Sequence, residues 1–168
     1  MKRLPFILVS IIIISFFSLL YASDNCVTTY TNKFYDYSIE IPGGWDRAEM
    51  TLGKAHQFIS AKNRSTSIVV TTIDASNNTI EKVYHDKRWE LWERDPSMKR
   101  IIEDNVESMG EGKIAVVNYK SKDGRVIHRI LMKKTAKWIF IVECRAPESA
   151  FYKLENHFNR VFGSFTAE

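Results

Sequence analysis

The apolar runs from Lys113 to Arg145 predict three consecutive β-strands. KIAVVNYKSK begins at Lys113, RVIHRILMKK at Arg125 and KWIFIVECR at Lys137. Asp123-Gly124 stands between the first two. Asp-Gly suits a two-residue hairpin loop because both central positions need positive φ, which Gly tolerates and Asp accepts. That turn sets a register in which Tyr119 faces His128, Val117 faces Ile130 and Ala115 faces Met132. These six share one side, the more apolar one, which is assigned to the core. Ile114, Val116, Asn118 and Lys120 take the other side, opposite Lys133, Leu131, Arg129 and Ile127. On the third strand, Trp138, Phe140, Val142 and Cys144 are expected to join the core side. Ile139, Ile141, Glu143 and Arg145 would then face a partly wet surface.

Upstream, Val27 to Lys33 is polar and reads as a short lead-in. Tyr35, Tyr37, Ile39 and Ile41 alternate with Asp36, Ser38 and Glu40, a half-buried strand that ends at Pro42-Gly43-Gly44. Trp45 is expected to pack back on the core after that turn. A hairpin should span His56 to Ile73, through the β-branched run Ile68-Val69-Val70. The period then changes. Asn78-Thr79-Ile80-Glu81 resembles a capping box with Asn78 as the cap, and Asp95-Pro96 stops a helix near Arg94. Ile80, Val83, Tyr84 and Leu91 share a face of it. Trp89 points away from that face and Trp92 lies on its flank, so these two are the candidate partner-binding residues. Met98 to Ser108 reads as extended, and Met109 to Gly112 as a turn. A closing helix starts at Pro147-Glu148, and its stripe of Phe151, Leu154, Phe158, Val161, Phe162 and Phe165 should lie across the sheet.

The N-terminus changes the picture of compartment. Lys2 and Arg3 precede an apolar run from Phe6 to Ala22, the pattern of a secretory signal peptide. Cleavage after Ala22 or Ser23 puts Leu20 or Tyr21 where a small residue is preferred, so a retained membrane anchor stays open. Residues 1–23 are therefore a signal peptide or anchor, and Asn25 to Glu168 forms one globular domain, expected in the periplasm or outside the cell. The membrane is met only through that segment if it is uncleaved. Lys2 and Arg3 account for two of the 24 basic residues; the 22 left against 20 acidic ones carry too little charge to argue for nucleic acid. Aromatics at 12% favour a packed core over disorder. After export, Cys26 and Cys144 could form one disulfide, worth about 4 kcal/mol in the chain-entropy model. The alternative is a buried Cys144 beside a free Cys26.

The chemistry-bearing residues form no recognised motif. His56, His85, His128 and His157 are scattered, without metal-ligand spacing. His128 is expected inside, opposite Tyr119, as a satisfied core histidine rather than a catalytic base. No nucleophile elbow, P-loop or dinucleotide fingerprint occurs, and the carboxylates are dispersed. No catalytic residue, metal or cofactor is expected from the sequence.

The segment YDYSIEIPGGW, from Tyr35 to Trp45, resembles the PsbP-like superfamily, which includes the photosystem II extrinsic protein and the DcrB-like periplasmic domain. The hairpin, helix, meander and closing FYKLENHFNRVFGSF helix that follow keep the same element order over most of the chain. The resemblance implies an α+β fold, an antiparallel β-sheet flanked by helices in an α/β/α sandwich. It also implies a binding or accessory role, and no functional residue carries over. The expectation is an exported, non-enzymatic accessory domain with a protein partner in the cell envelope. A small-molecule or lipid binder with a pocket between helix and sheet is the alternative.

Overall fold

A computed structural model describes residues 26–48, 55–86, 100–109, 112–120 and 125–168, with only the backbone of 100–109 and 112–120. Its strands are β1 Val27–Asn32, β2 Tyr37–Pro42, β3 Trp45–Ala48, β4 Ala55–Ser60, β5 Ser67–Asp74, β6 Arg100–Met109, β7 Gly112–Lys120, β8 Val126–Lys134, β9 Trp138–Pro147 and β10 Thr166–Ala167. The first helix, α1, is described over residues 80–86, and α2 spans Glu148–Ser164. Seven strands form one antiparallel sheet in the order β3-β4-β5-β9-β8-β7-β6, and three form a smaller one in the order β1-β2-β10. The chain is thus α+β, with helices on a largely antiparallel sheet.

The β7–β8 pairing has the expected register: Tyr119 opposes His128, Val117 opposes Ile130 and Ala115 opposes Met132. The Asp123-Gly124 turn itself lies outside the described residues. The phase of β9 is the reverse of the expectation. Met132 opposes Ile141 and Leu131 opposes Val142, so Phe140, Val142 and Cys144 share a face with Leu131, and Ile139 and Ile141 share one with Ile130 and Met132. Both faces are buried, which removes the polar side that would have set the phase.

Each face carries its own core. On one, Phe151, Phe158 and Val161 of α2 and Tyr37, Ile39 and Ile41 of β2 pack on Phe140, Val142, Leu131, Ile68 and Val70. On the other, Ile80, Val83 and Tyr84 of α1 pack on Ile130, Met132, Ile139 and Ile141. Burying a side chain such as Phe140 or Phe158, both fully enclosed, stabilises the fold by about 2–3 kcal/mol. The expected stripe of α2 is therefore the one that meets the sheet, and the expected face of α1 holds as far as Tyr84.

Two local expectations change, and Trp45 packs against the core as expected. Val27–Asn32 is a strand, paired with β2 from Val27↔Pro42 to Asn32↔Tyr37. It lies outermost in the small sheet, where Thr28, Thr29 and Thr31 are exposed, and its polar sequence carries no alternation that marks it. The α1 cap is Thr79, whose Oγ1 accepts the Lys82 N–H at 3.2 Å. Asn78 instead donates from Nδ2 to the Asp74 carbonyl at 2.8 Å. Trp45 starts β3, opposite Ser60, and is half-buried at the margin of the core.

Candidate functional site

Three elements meet at one end of the large sheet and leave a cleft of about 310 Å³ between them. The β2–β3 turn supplies Pro42, Gly43, Gly44 and Trp45; the β4–β5 loop supplies Ser60, Lys62, Asn63 and Thr66. Helix α2 supplies Ala150, Lys153, Leu154 and His157. The helical residues follow an i, i+3, i+4, i+7 spacing, which puts them on one face beside the buried stripe. The turn needs its glycines. Gly44 sits at φ 73°, a left-handed conformation that side-chain-bearing residues rarely adopt. At Gly43 a Cβ would meet the Cys26 carbonyl oxygen at 2.8 Å, and the Gly43 N–H donates to that same oxygen at 2.6 Å.

The cleft is basic. Lys62, Lys153 and His157 line it and no carboxylate does. Among the described residues, neither Lys153 nor His157 has a hydrogen bond or ion pair. The loop that carries Lys62 is held by the Thr66 N–H to the Asn63 carbonyl at 2.8 Å and the Ser60 N–H to the Thr66 carbonyl at 3.1 Å. The Thr66 side chain is fully buried, yet among the described residues its hydroxyl has no partner. A buried unsatisfied hydroxyl costs about 1–3 kcal/mol.

His56 is built into a different kind of cluster. Asn32 Oδ1 accepts the Phe34 and Tyr35 N–H groups, each at 3.0 Å, which leaves Nδ2 facing the imidazole. That Nδ2 donates to His56 Nε2 at 3.3 Å, so a neutral ring carries its proton on Nδ1 and donates to Tyr37 Oη at 3.0 Å. The rings of Tyr30, Tyr37 and Tyr35 stand 5.8, 6.1 and 6.3 Å from the imidazole. The Arg47 guanidinium lies 5.2 Å from the Tyr30 ring centre. Burial, then the charge on Arg47, holds the His56 pKa below its ordinary value. Burial also pushes the Tyr37 phenol well above its ordinary value.

His128 is part-buried on the α1 side of the sheet, and its Nδ1 lies 2.7 Å from Glu143 Oε1. The carboxylate orients the ring from the neighbouring strand, so His128 is a satisfied histidine, as its position opposite Tyr119 suggested. On the same face, Arg145 Nε donates to Ser67 Oγ at 2.8 Å. His85 is exposed on α1. Among the described residues, no group of three or more His, Cys, Asp or Glu side chains could hold a metal ion.

Cys26 and Cys144 are not bridged. Cys26 is exposed at the start of β1, whereas Cys144 is fully buried with Phe140 and Val142, and burial pushes its thiol pKa up. Trp89 and Trp92 lie outside the described residues, as does the N-terminal segment 1–25. Lys62, Thr66 and Trp45 were missed as a group because loop, turn and helix are distant in sequence. The one local signal was the Lys153–His157 pair at i, i+4 beside an apolar stripe.

The two sheets, with α2 and the small sheet over one face and α1 over the other, define a PsbP-like fold. The structure of cyanobacterial PsbP (CyanoP) from Synechocystis matches it with a TM-score of 0.70, at 11% identity over 84% of this chain and 92% of that one. The Ran-binding protein Mog1p of Saccharomyces cerevisiae matches at a TM-score of 0.56 and 9% identity, over 84% of this chain and 95% of that one. LpqN of Mycobacterium tuberculosis, involved in cell envelope biogenesis, matches at 0.53 and 12%, over 84% and 90%. No protein-family model matches the chain, and no curated protein matches it in sequence.

Proposed function

We propose that the chain is an exported, non-enzymatic accessory or protein-binding domain of the cell envelope. The observation that carries this reading is the scaffold it shares with LpqN, whose described role is in envelope biogenesis. The Ran-binding Mog1p uses the same scaffold for a protein partner. The basic n-region and apolar run before Asn25 support the same compartment. The interior between α2 and the sheet is packed with Phe151, Phe158 and Val161, which weighs against a ligand buried there.

Crosslinking in the native host, followed by affinity purification and mass spectrometry, tests the reading. One recurrent envelope protein in near-equal amount is the expected result. Repeated recovery of the chain alone overturns it. The intact mass of the purified protein also separates a cleaved signal peptide from a retained anchor.

A further inference from the structure

We propose that β1 is a docking edge for a second copy of this chain, the two β1 strands pairing antiparallel about a two-fold axis at Thr29. Among the described residues, the two sheets end in β1 and β10 and in β3 and β6. Three of these edges carry features that discourage edge pairing. β10 has only two residues. β3 has four, with Asp46 and Arg47 exposed in its middle. β6 is long, but its register shifts between Ile101 and Glu103, and its sequence carries Arg100, Glu103, Asp104 and Glu107. β1 has none of these features. Its six residues, VTTYTN, include no charge and no proline, and they pair with β2 from end to end without a shift.

The hydrogen-bond phase fixes which groups of β1 remain available. The Gly43 N–H donates to the Cys26 carbonyl at 2.6 Å, so the ladder continues past Val27↔Pro42 with Cys26 and Gly43 as a bonded pair. Opposed residues in an antiparallel ladder alternate between bonded and non-bonded pairs. Thr28, Tyr30 and Asn32 therefore turn their backbone N–H and C=O groups to β2, and Val27, Thr29 and Thr31 turn theirs outward. Among the described residues, those outward groups make no hydrogen bond. A two-fold axis at Thr29 sets Val27 opposite Thr31 of the second copy and Thr29 opposite its own equivalent. Every outward N–H then meets a C=O, and the interface is isologous. Thr28, Thr29 and Thr31 are exposed, and threonines facing each other across strands pair favourably. No charged residue of β1 meets its like across the axis. The edge is its own complement in backbone pattern and in charge, which is why the occupant is a second copy. This pairing does not depend on the protein partner of the proposed function.

Sedimentation velocity of the protein purified from its host, over a concentration series, tests the pairing. One six-residue strand buries less than a standard interface, so a monomer–dimer equilibrium with a dissociation constant on the order of 100 μM is expected. Thr29→Pro removes the central outward N–H and spares the bonds to β2, and should weaken the dimer about tenfold. Thr29→Lys, at an exposed position, should weaken it as much by setting like charges opposite each other. Mixing the Thr29→Lys and Thr29→Glu chains should restore dimers that neither forms alone, a result that only an axis at Thr29 gives. Their urea midpoints should match that of the unaltered chain, which separates loss of the dimer from loss of the fold. A chain that stays monomeric up to about 1 mM, a dimer unaffected by both Thr29→Pro and Thr29→Lys, or a mixture no more dimeric than its components overturns the proposal. So does a monomeric chain whose crosslinked envelope partner is lost with Thr29→Lys, since the edge then serves a different protein.

Discussion

The His56 cluster and the basic cleft lie on the same half of the large sheet, yet they treat polar atoms in opposite ways. Around His56, one amide satisfies two backbone N–H groups and the imidazole, and the imidazole satisfies a phenol. Aromatic rings enclose the whole group. In the cleft, Lys153 and His157 have no partner among the described residues, and the Thr66 hydroxyl is buried without one. A satisfied polar cluster stabilises and specifies a fold; unsatisfied groups in a concavity are a cost that a ligand can remove. The contrast separates a histidine that belongs to the architecture from side chains free to bind.

Substitutions can break this contrast. The largest effect should come from the core shared by both regions: Phe158→Ala removes a fully buried ring of α2 and should cost about 3–5 kcal/mol in denaturant unfolding. Asn32→Ala should cost about 2 kcal/mol, because it orphans two N–H groups and the His56 acceptor. A loss below about 0.5 kcal/mol would show that water replaces the amide and that the cluster is not structural. Thr66→Val should act in the opposite direction and raise stability by about 1 kcal/mol, since it removes an unpaired hydroxyl while keeping the shape. Lys153→Met should change stability by less than about 0.5 kcal/mol, because the side chain is exposed and has no partner among the described residues.

The pH dependence sharpens the same comparison. The His56 pKa lies below 6.5 in the fold, first through burial and then through Arg47. The unfolded chain therefore binds this proton more readily. The contribution of His56 is complete above about pH 6.5 and declines as pH falls through that value toward the folded pKa. Protonation at Nε2 would also set a second donor against Asn32 Nδ2. Urea midpoints measured from neutral to mildly acidic pH should fall, and His56→Gln should flatten that part of the curve. An unchanged slope in the variant would remove His56 as the cause.

The reading of strands succeeded where local chemistry was decisive. A two-residue Asp-Gly loop, read from the sequence, leaves no freedom in loop length, so the β7–β8 pairs follow by counting. The reading failed on β9, where Ile139, Phe140, Ile141 and Val142 are all buried. With apolar residues on both sides, alternation carries no phase. β1 was illegible for the reverse reason: a polar outer strand has little side-chain signal, and its backbone pairing with β2 depends on the fold. The α1 start was readable only to within one residue, since Asn78 and Thr79 are both good caps and the local geometry chose Thr79.

Sequence alone determined the type of the central strands and of α2, the β7–β8 register and the stripe of α2. Each of these rests on interactions between residues close in sequence or on a two- or 3.6-residue period. Tertiary structure alone decided that both faces of the large sheet are cores, that Cys144 is sealed away from an exposed Cys26, and that Lys62, Thr66 and Trp45 meet Lys153 and His157. Those outcomes depend on which layer covers which face and on three distant segments converging, and no local pattern encodes that geometry.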